Sequence, residues 1–562
     1  MRSTRGWVVL GLVVPVTLAT WLGPDALVDP AAAAKAAPRQ KAAAAPRPAA
    51  VAPVDVGSCF GCHPEIQEFH ARGKHAKVNC AHCHAQTAKH AEDPEQKPVT
   101  RMEHAVCGGC HQAQYESLVS VNLQSKAKVE KATFKSRSPL FDKLIAPHGF
   151  SKEHGEPRSH VFMVVDQFVV DRAFGGRFQW KDWTRVQDAR GAERDTWELL
   201  IDKEPGSSDQ KIFLPQTATA ANPVCYSCKS QDHILTWKYL GDPDPNAQWS
   251  RTSKPVEMAR SVKHPMNCFI CHDPHSTEPR VVRDALIDAV VDRGAGAYPY
   301  DAAKSRQTTL TKVTFRDFRA IGILNRPDSN LLCAQCHVEY NCNPGFDPRT
   351  GAPIGMADRR TNFFPWVSVL DLQQKYEAVG FKDFRHAVTG AGLTKIQHPE
   401  TETYWGSTHE RKGVECKDCH MPKLKTKAGK SYTFHGQRSS RYMKKDTCTR
   451  CHSGWTEEQA EYQIEAVQNY IRGKMTKAEF WLGQLIDKYE EARVAGVPEA
   501  ALAQARARHD TAHILWEWWT AENSDGFHNP TLARESLARS LDASQAGIAL
   551  LEKALAEVRS RK

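Results

Sequence analysis

Seven times the chain sets two cysteines three positions apart and follows the second with a histidine. The sites are Cys59-Phe-Gly-Cys62-His63, Cys80-Ala-His-Cys83-His84, Cys107-Gly-Gly-Cys110-His111, Cys268-Phe-Ile-Cys271-His272, Cys333-Ala-Gln-Cys336-His337, Cys416-Lys-Asp-Cys419-His420 and Cys448-Thr-Arg-Cys451-His452. Thiols at this spacing can each form a thioether to one vinyl group of a haem, and the next side chain then lies under the iron as its proximal ligand. At this cysteine and histidine content chance would supply about 0.02 such matches, which sets aside zinc knuckles and disulfides.

An eighth pair, Cys225-Tyr-Ser-Cys228, is followed by Lys229. It reads either as a disulfide or lost haem site, or as a haem whose proximal ligand is a lysine amine. An amine binds iron only when neutral, so the metal would have to depress its pKa. Eight pairs use 16 of the 17 cysteines and leave Cys342. That thiol has three readings: inert and buried, an intermolecular disulfide, or a partner for Tyr340. Of 25 histidines, 7 belong to the motifs and 18 remain. Two histidines on one iron fill both axial positions, so seven such haems still leave a surplus. The lysine site is then the candidate for an open sixth position.

These sites need elements to hold them. Arg2 and Arg5 precede an apolar run from Trp7 to Leu22, and residues 1–34 read as a secretory signal. Residues 35–54, rich in Ala, Pro and basic side chains, read as a flexible linker, with structure beginning near Val54. Three attachment sites crowd residues 55–149, where haems must serve as the core. The apolar stretch Val161–Val170 suggests ordered packing, and the other five sites fall within 150–455. After His452 the composition turns to Ala, Glu, Leu, Lys and Arg, and helical spacing predicts long helices over 457–491, 499–520 and 532–559. Pro498 and Pro530 stand near helix starts. The region 456–562 serves either packing on the haem domain or oligomerisation. The expected fold class is mainly α, with little β structure, a haem-packed core and long C-terminal helices. The formal charge of +10 is no argument for nucleic acid, because anionic cofactors can take up much of it.

The last five sites resemble a known arrangement, that of the pentahaem cytochrome c nitrite reductases, which reduce nitrite to ammonia. The likeness covers residues 150–562. It is carried by the lysine motif followed by four C-x-x-C-H sites, by Cys333 to Tyr340, and by Lys395-Ile396-Gln397-His398-Pro399-Glu400. Pro157-Arg158-Ser159-His160 and Gly526-Phe527-His528-Asn529-Pro530 add to it, with Ser159 a departure from the family's glycine. Three further N-terminal sites and Cys342 point to the octahaem branch.

The resemblance implies eight covalently bound haem c groups and a calcium ion. Its catalytic trio falls on Arg172, Tyr340 and His398, with Arg158 and Arg177 competing for the first place. Arg172 and His398 would orient nitrite and stabilise negative charge. His398 and Tyr340 would assist proton delivery. Calcium would fall to Glu339, the Tyr340 and Lys395 carbonyls and the Gln397 side chain, an all-oxygen set that suits the ion. Distal iron ligands would be His160 for 333–337, His435 for 268–272, His409 for 448–452 and His528 for 416–420. For the three N-terminal haems the candidates are His70, His75, His90, His104, His148 and His154, with His75 and His90 favoured. Octahaem relatives also imply a Tyr340–Cys342 thioether and a hexamer.

The leading expectation is a periplasmic enzyme performing six-electron nitrite reduction, with hydroxylamine and sulfite as side substrates. A donor cytochrome or quinol-linked donor would feed it, in a homo-oligomer without nucleic acid or an integral membrane domain after signal cleavage. An octahaem hydroxylamine or sulfur-compound oxidoreductase is one alternative, and Lys229 argues against the hydroxylamine form. A non-catalytic electron conduit is the other.

Overall fold

Three long helices close the chain, and each has a local reason to start where it does. In the computed structural model the first runs Glu457–Ala495; Thr456 and Gln459 form a reciprocal capping box at its start, and Gly496 ends it at φ 83°. The second, Glu499–Ala521, has Pro498 in the capping position rather than inside the helix. The third, Pro530–Ser560, places proline in its first turn, where the missing N–H costs nothing. The structure describes residues 51–120, 140–146, 159–163, 222–254, 257–258, 261, 264, 266–315 and 318–561. It also describes the backbone of the short strands at 170–172, 178–180, 186–187 and 193–194. The signal, nearly all of the linker, Pro157, Arg158, Arg177, His148, His154 and most of 161–170 lie outside the described residues.

The long helices pack on each other and on the helix Val369–Val379 through Leu482, Leu485, Ile486, Trp516, Trp519, Leu551 and Leu372, all buried. Trp519 is fully buried, and its Nε1 donates to Ser536 Oγ at 2.6 Å. Trp519→Ala is therefore expected to destabilise this bundle by about 3–5 kcal/mol, read from denaturant unfolding followed by circular dichroism.

A second core holds the five-site region, with Val224, Trp237, Ile270, Leu286, Ile321, Tyr340 and Phe364. One of its walls is the largest sheet among the described residues, three antiparallel strands in the spatial order Arg280–Val281, Arg319–Leu324 and Leu310–Phe315. Register sets Arg280 opposite Ile323 and Leu310 opposite Leu324. The other described strands form two-residue or three-residue hairpins. The fold is thus mainly helical with little β structure. At the N-terminal end, the helices Val56–Cys62 and Pro64–Arg72 bury no residue, although each is well formed. Such helices have no side-chain core of their own, which matches a module packed around large cofactors. No helix among the described residues is long and apolar enough to cross a membrane.

Candidate functional site

The lysine motif sits on the short helix Pro223–Ser227, and Asn222 positions it from both sides. The Asn222 Oδ1 accepts from Val224 N and Cys225 N at 3.0 and 3.2 Å, capping the helix. Its Nδ2 donates to Cys342 O at 2.5 Å, tying the motif to the loop that carries Tyr340. The Cys342 thiol lies within hydrogen-bonding reach of Cys225; that contact, then burial, push it well above the usual thiol value. Lys229 is half-buried and its Nζ donates to Cys225 O at 3.2 Å.

Tyr340 is buried, and its ring stacks on His398 with centroids 6.4 Å apart and planes 13° apart. Burial holds the Tyr340 phenol well above its ordinary pKa, so it stays protonated. On its other side His398 meets the His337 ring edge-on at 6.2 Å. His398 thus lies between the rings of Tyr340 and His337. Arg172 ends the strand Val170–Arg172, paired with Phe178, and its side chain lies outside the described residues.

Beside Tyr340 two carboxyl groups, Glu339 and Glu402, are buried, with half-buried Asp383 near them. Glu339 accepts from Tyr376 Oη at 3.0 Å and from Gln397 N at 2.8 Å; Glu402 accepts from Glu339 N at 3.1 Å. Asp383 accepts from Lys395 N at 2.8 Å. Burial drives Glu339 and Glu402 well above the carboxylate range and Asp383 up to about 7. A buried Gln397 Nε2 beside them has no partner. Clustered carboxyls with raised pKa are what an adjacent cation would relieve. Among the described residues no three His, Cys, Asp or Glu side chains form a metal cluster.

The histidines fall into facing pairs. Centroid separations are 6.2 Å for His63–His90, His75–His111, His160–His337 and His420–His528, and 6.3 Å for His84–His275 and His409–His452. With metal–nitrogen bonds of about 2 Å on each side and roughly 1 Å from nitrogen to ring centre, two imidazoles trans on one metal stand about 6 Å apart. His435 is close enough to His272 to interact electrostatically: burial first, and the charge of His435 second, lower the His272 pKa to about 4. Of the remaining nominees, His70 Nε2 contacts Val78 O at 3.2 Å, and His104 is buried with Nε2 on Met266 O at 2.9 Å. Sequence reasoning did not nominate His275, although it stands just after the 268–272 motif.

The motif thiols themselves mark which sites adjoin. Cys59 reaches Cys80, Cys107 reaches Cys268, Cys333 reaches Cys416, and Cys336 reaches Cys228. Cys83 with Cys107, Cys271 with Cys333, and Cys419 with Cys448 are close enough to interact electrostatically. The sites therefore form one continuous row with a branch at 333–337.

Comparison with known proteins follows this geometry. The cytochrome c552 family model matches residues 207–562, more than half of the chain. The chain belongs to the cytochrome c552 family. Curated relatives of this family member include a cytochrome c-552 of Bacteroides thetaiotaomicron, 28% identical over 423 residues that cover 74% of this chain and 68% of that one. A cytochrome c nitrite reductase subunit NrfA of Nitratidesulfovibrio vulgaris is 25% identical over 458 residues, covering 78% and 73%. Among solved structures, the catalytic subunit of the Desulfovibrio desulfuricans cytochrome c nitrite reductase aligns with TM-score 0.52 at 21% identity, over 80% of this chain and 86% of that one. That likeness is one of fold. The family match begins beyond the first three attachment motifs, so those are this chain's addition to the matched region.

Proposed function

We propose that this chain is an exported multihaem nitrite reductase that forms ammonia at the site anchored by Cys225, Cys228 and Lys229. The observation that carries the reading is the Tyr340–His398 stack, held beside the one motif that ends in lysine. A relative named as a nitrite reductase supports the substrate. A haem held by Cys225, Cys228 and Lys229 would supply electrons and a metal centre to which nitrite could bind. His398 holds a ring nitrogen toward the substrate oxygens and can donate a hydrogen bond as charge builds there. The Tyr340 phenol, kept protonated by burial, donates a proton and is restored through His398. Arg172 would supply the fixed positive charge. Buried packing by Phe364 and Tyr226 keeps bulk water from the protons in transit.

Eight haem c groups follow from eight attachment motifs. The facing pairs support distal ligands His90, His275 and His75 for the three N-terminal sites in order. They support His435, His160, His528 and His409 for 268–272, 333–337, 416–420 and 448–452. A calcium ion fits the Glu339, Tyr340, Lys395 and Gln397 set, beside carboxyls whose pKa values burial raises. The Tyr340–Cys342 thioether belongs to the same proposal; a tryptic peptide containing residues 340–342 should be short by two hydrogens. The reading further comprises a cleaved signal over 1–34, a linker over 35–54, a three-haem module over 55–149, a catalytic module over 150–455 and a long-helix region over 456–562 that serves packing or oligomerisation. It places the mature protein in the periplasm, fed by a cytochrome or quinol-linked donor.

Holoprotein supplied with a chemically reduced viologen is expected to release close to one ammonium per nitrite consumed. A fully haem-loaded sample that consumes no nitrite would move the assignment to an electron conduit. The paired ligands carry their own test. A Cβ at Gly73 would collide with His275 O and stand 2.8 Å from Ser276 Cα. Gly73→Ala is therefore expected to push His275 away from His84 and add a ferric high-spin component, readable by electron paramagnetic resonance.

A further inference from the structure

A buried cation that the proposed chemistry leaves unused lies where the lysine motif meets the 333–337 motif. Arg283 follows the strand Arg280–Val281 and is 1% exposed. Its Nη1 pairs with Asp284 Oδ1 at 2.9 Å, while its Nε and Nη2 have no partner. Unpaired N–H groups on a buried guanidinium are costly, so the position calls for a reason. The guanidinium carbon lies 5.2 Å from the Phe364 ring centre and 6.0 Å from that of Trp237, which walls it off from water.

Cys228, Cys336 and Tyr340 all lie close enough to Arg283 to feel its charge. Besides Arg283, Asp284 accepts from Ala285 N at 2.8 Å and Asn362 Nδ2 at 3.4 Å. The backbone is fastened to the second motif itself: Val282 N and Arg283 N both donate to Gln335 Oε1, at 2.7 and 3.3 Å. Gln335 Nε2 in turn donates to Ile270 O at 3.3 Å. Across the junction, Cys336 Sγ donates to Cys228 O at 3.4 Å. Once both cysteines are thioethers they carry no charge, and Asp284 is then the anion paired with the guanidinium.

We propose that Arg283 is the charge-positioning residue of this electron junction, fixed beside Cys228 and Cys336 to stabilise the electron on the haems these cysteines anchor. One electron passes from the reduced group held at 333–337 to the oxidised group held at 225–229, and no bond forms or breaks. The electron comes from the low-potential donor of the proposed reaction. A fixed positive charge in a low-dielectric interior favours each reduced state without reorganising as the electron arrives. The inference rests on the reading of Lys229 as an iron ligand.

Spectroelectrochemical titration of holoprotein, following the ferric high-spin band, tests it. At a fixed potential the ratio of reduced to oxidised lysine-site haem is expected to fall about tenfold in R283Q and R283M, equivalent to about 59 mV for one electron. R283K should stay within about threefold of the parent, because it keeps the charge. The six-coordinate haems of residues 55–149 should not move. An unchanged ratio in fully loaded R283Q overturns the proposal. Should neither neutral variant load haem, Asp284→Asn decides: loss of the counter-charge should raise the ratio, and an unchanged or lower ratio overturns the proposal. A parent protein with no high-spin signal overturns the lysine-site reading itself, and this inference with it.

Discussion

His398→Ala is expected to lower nitrite turnover by a factor of about 10²–10³, the range found when one fixed donor to a developing anion is removed. The ferric high-spin signal of the lysine site should persist. The reason lies in how the loop around His398 is held. Gln397 N donates to the buried Glu339 carboxylate at 2.8 Å, Glu400 N donates to His398 O at 2.9 Å, and Thr401 N donates to His337 O at 3.1 Å. All three bonds use backbone donors, so alanine keeps them and the loop stays in place. What is lost is the imidazole between Tyr340 and His337, and with it a route for protons and a donor toward the substrate. Tyr340→Phe removes one proton donor but leaves the imidazole, so its loss should be smaller. Steady-state kinetics with a viologen donor, on samples matched for haem content, measures both. Turnover in His398→Ala within threefold of the parent would remove His398 from the catalytic trio.

The C-terminal helices were legible in the sequence because every cue to them is local. The Thr456–Gln459 capping box, the left-handed Gly496 and Pro530 act within one turn, and periodic apolar positions do the rest. The N-terminal module offered no such cue, since helices that bury nothing need no apolar stripe. Attachment cysteines and motif histidines could be read directly, because covalent chemistry demands adjacency in the chain. Facing ligands carry no such demand. His84 meets His275 across most of the fold, through a contact that depends on Gly73 lying against the His275–Ser276 backbone. Nomination by nearness in sequence therefore looked among N-terminal histidines and passed it over. Asn222 was also missed. Its cap on the attachment helix is an ordinary local signal, but its bond to Cys342 O is a tertiary one. Arg283 belongs to the same class: an arginine at the start of a short helix becomes informative only when two distant cysteines are seen beside it.

Glu400→Gln is expected to have two effects of separate origin, both large. His337 Nδ1 lies 3.2 Å from Glu400 Oε2, and Asn523 Nδ2 donates to Glu400 Oε1 at 2.7 Å. Burial opposes the charge of Glu400, but the His337 hydrogen bond and charge outweigh it and hold its pKa at about 2. A carboxylate on the far nitrogen of an iron-bound imidazole makes that ring a stronger donor and favours ferric iron. The neutral amide withdraws this support, so the 333–337 haem should become easier to reduce by tens of millivolts, roughly a tenfold change in its redox equilibrium. That group stands at the branch of the row, so electrons would be held there rather than passed to the lysine site, and turnover should fall although the active-site residues are intact. The second effect concerns acid stability. The folded pKa of Glu400 is depressed, so its contribution is present above the unfolded carboxylate value and is lost as pH falls from about 4.5 toward 2. The parent should therefore lose stability steeply in that window. The Glu400→Gln protein should start about 2–3 kcal/mol lower at neutral pH and show a flatter acid limb. Denaturant unfolding at pH 7 and pH 3.5 separates the two slopes, and parallel acid limbs would show that the Glu400 pKa is not depressed in the folded protein.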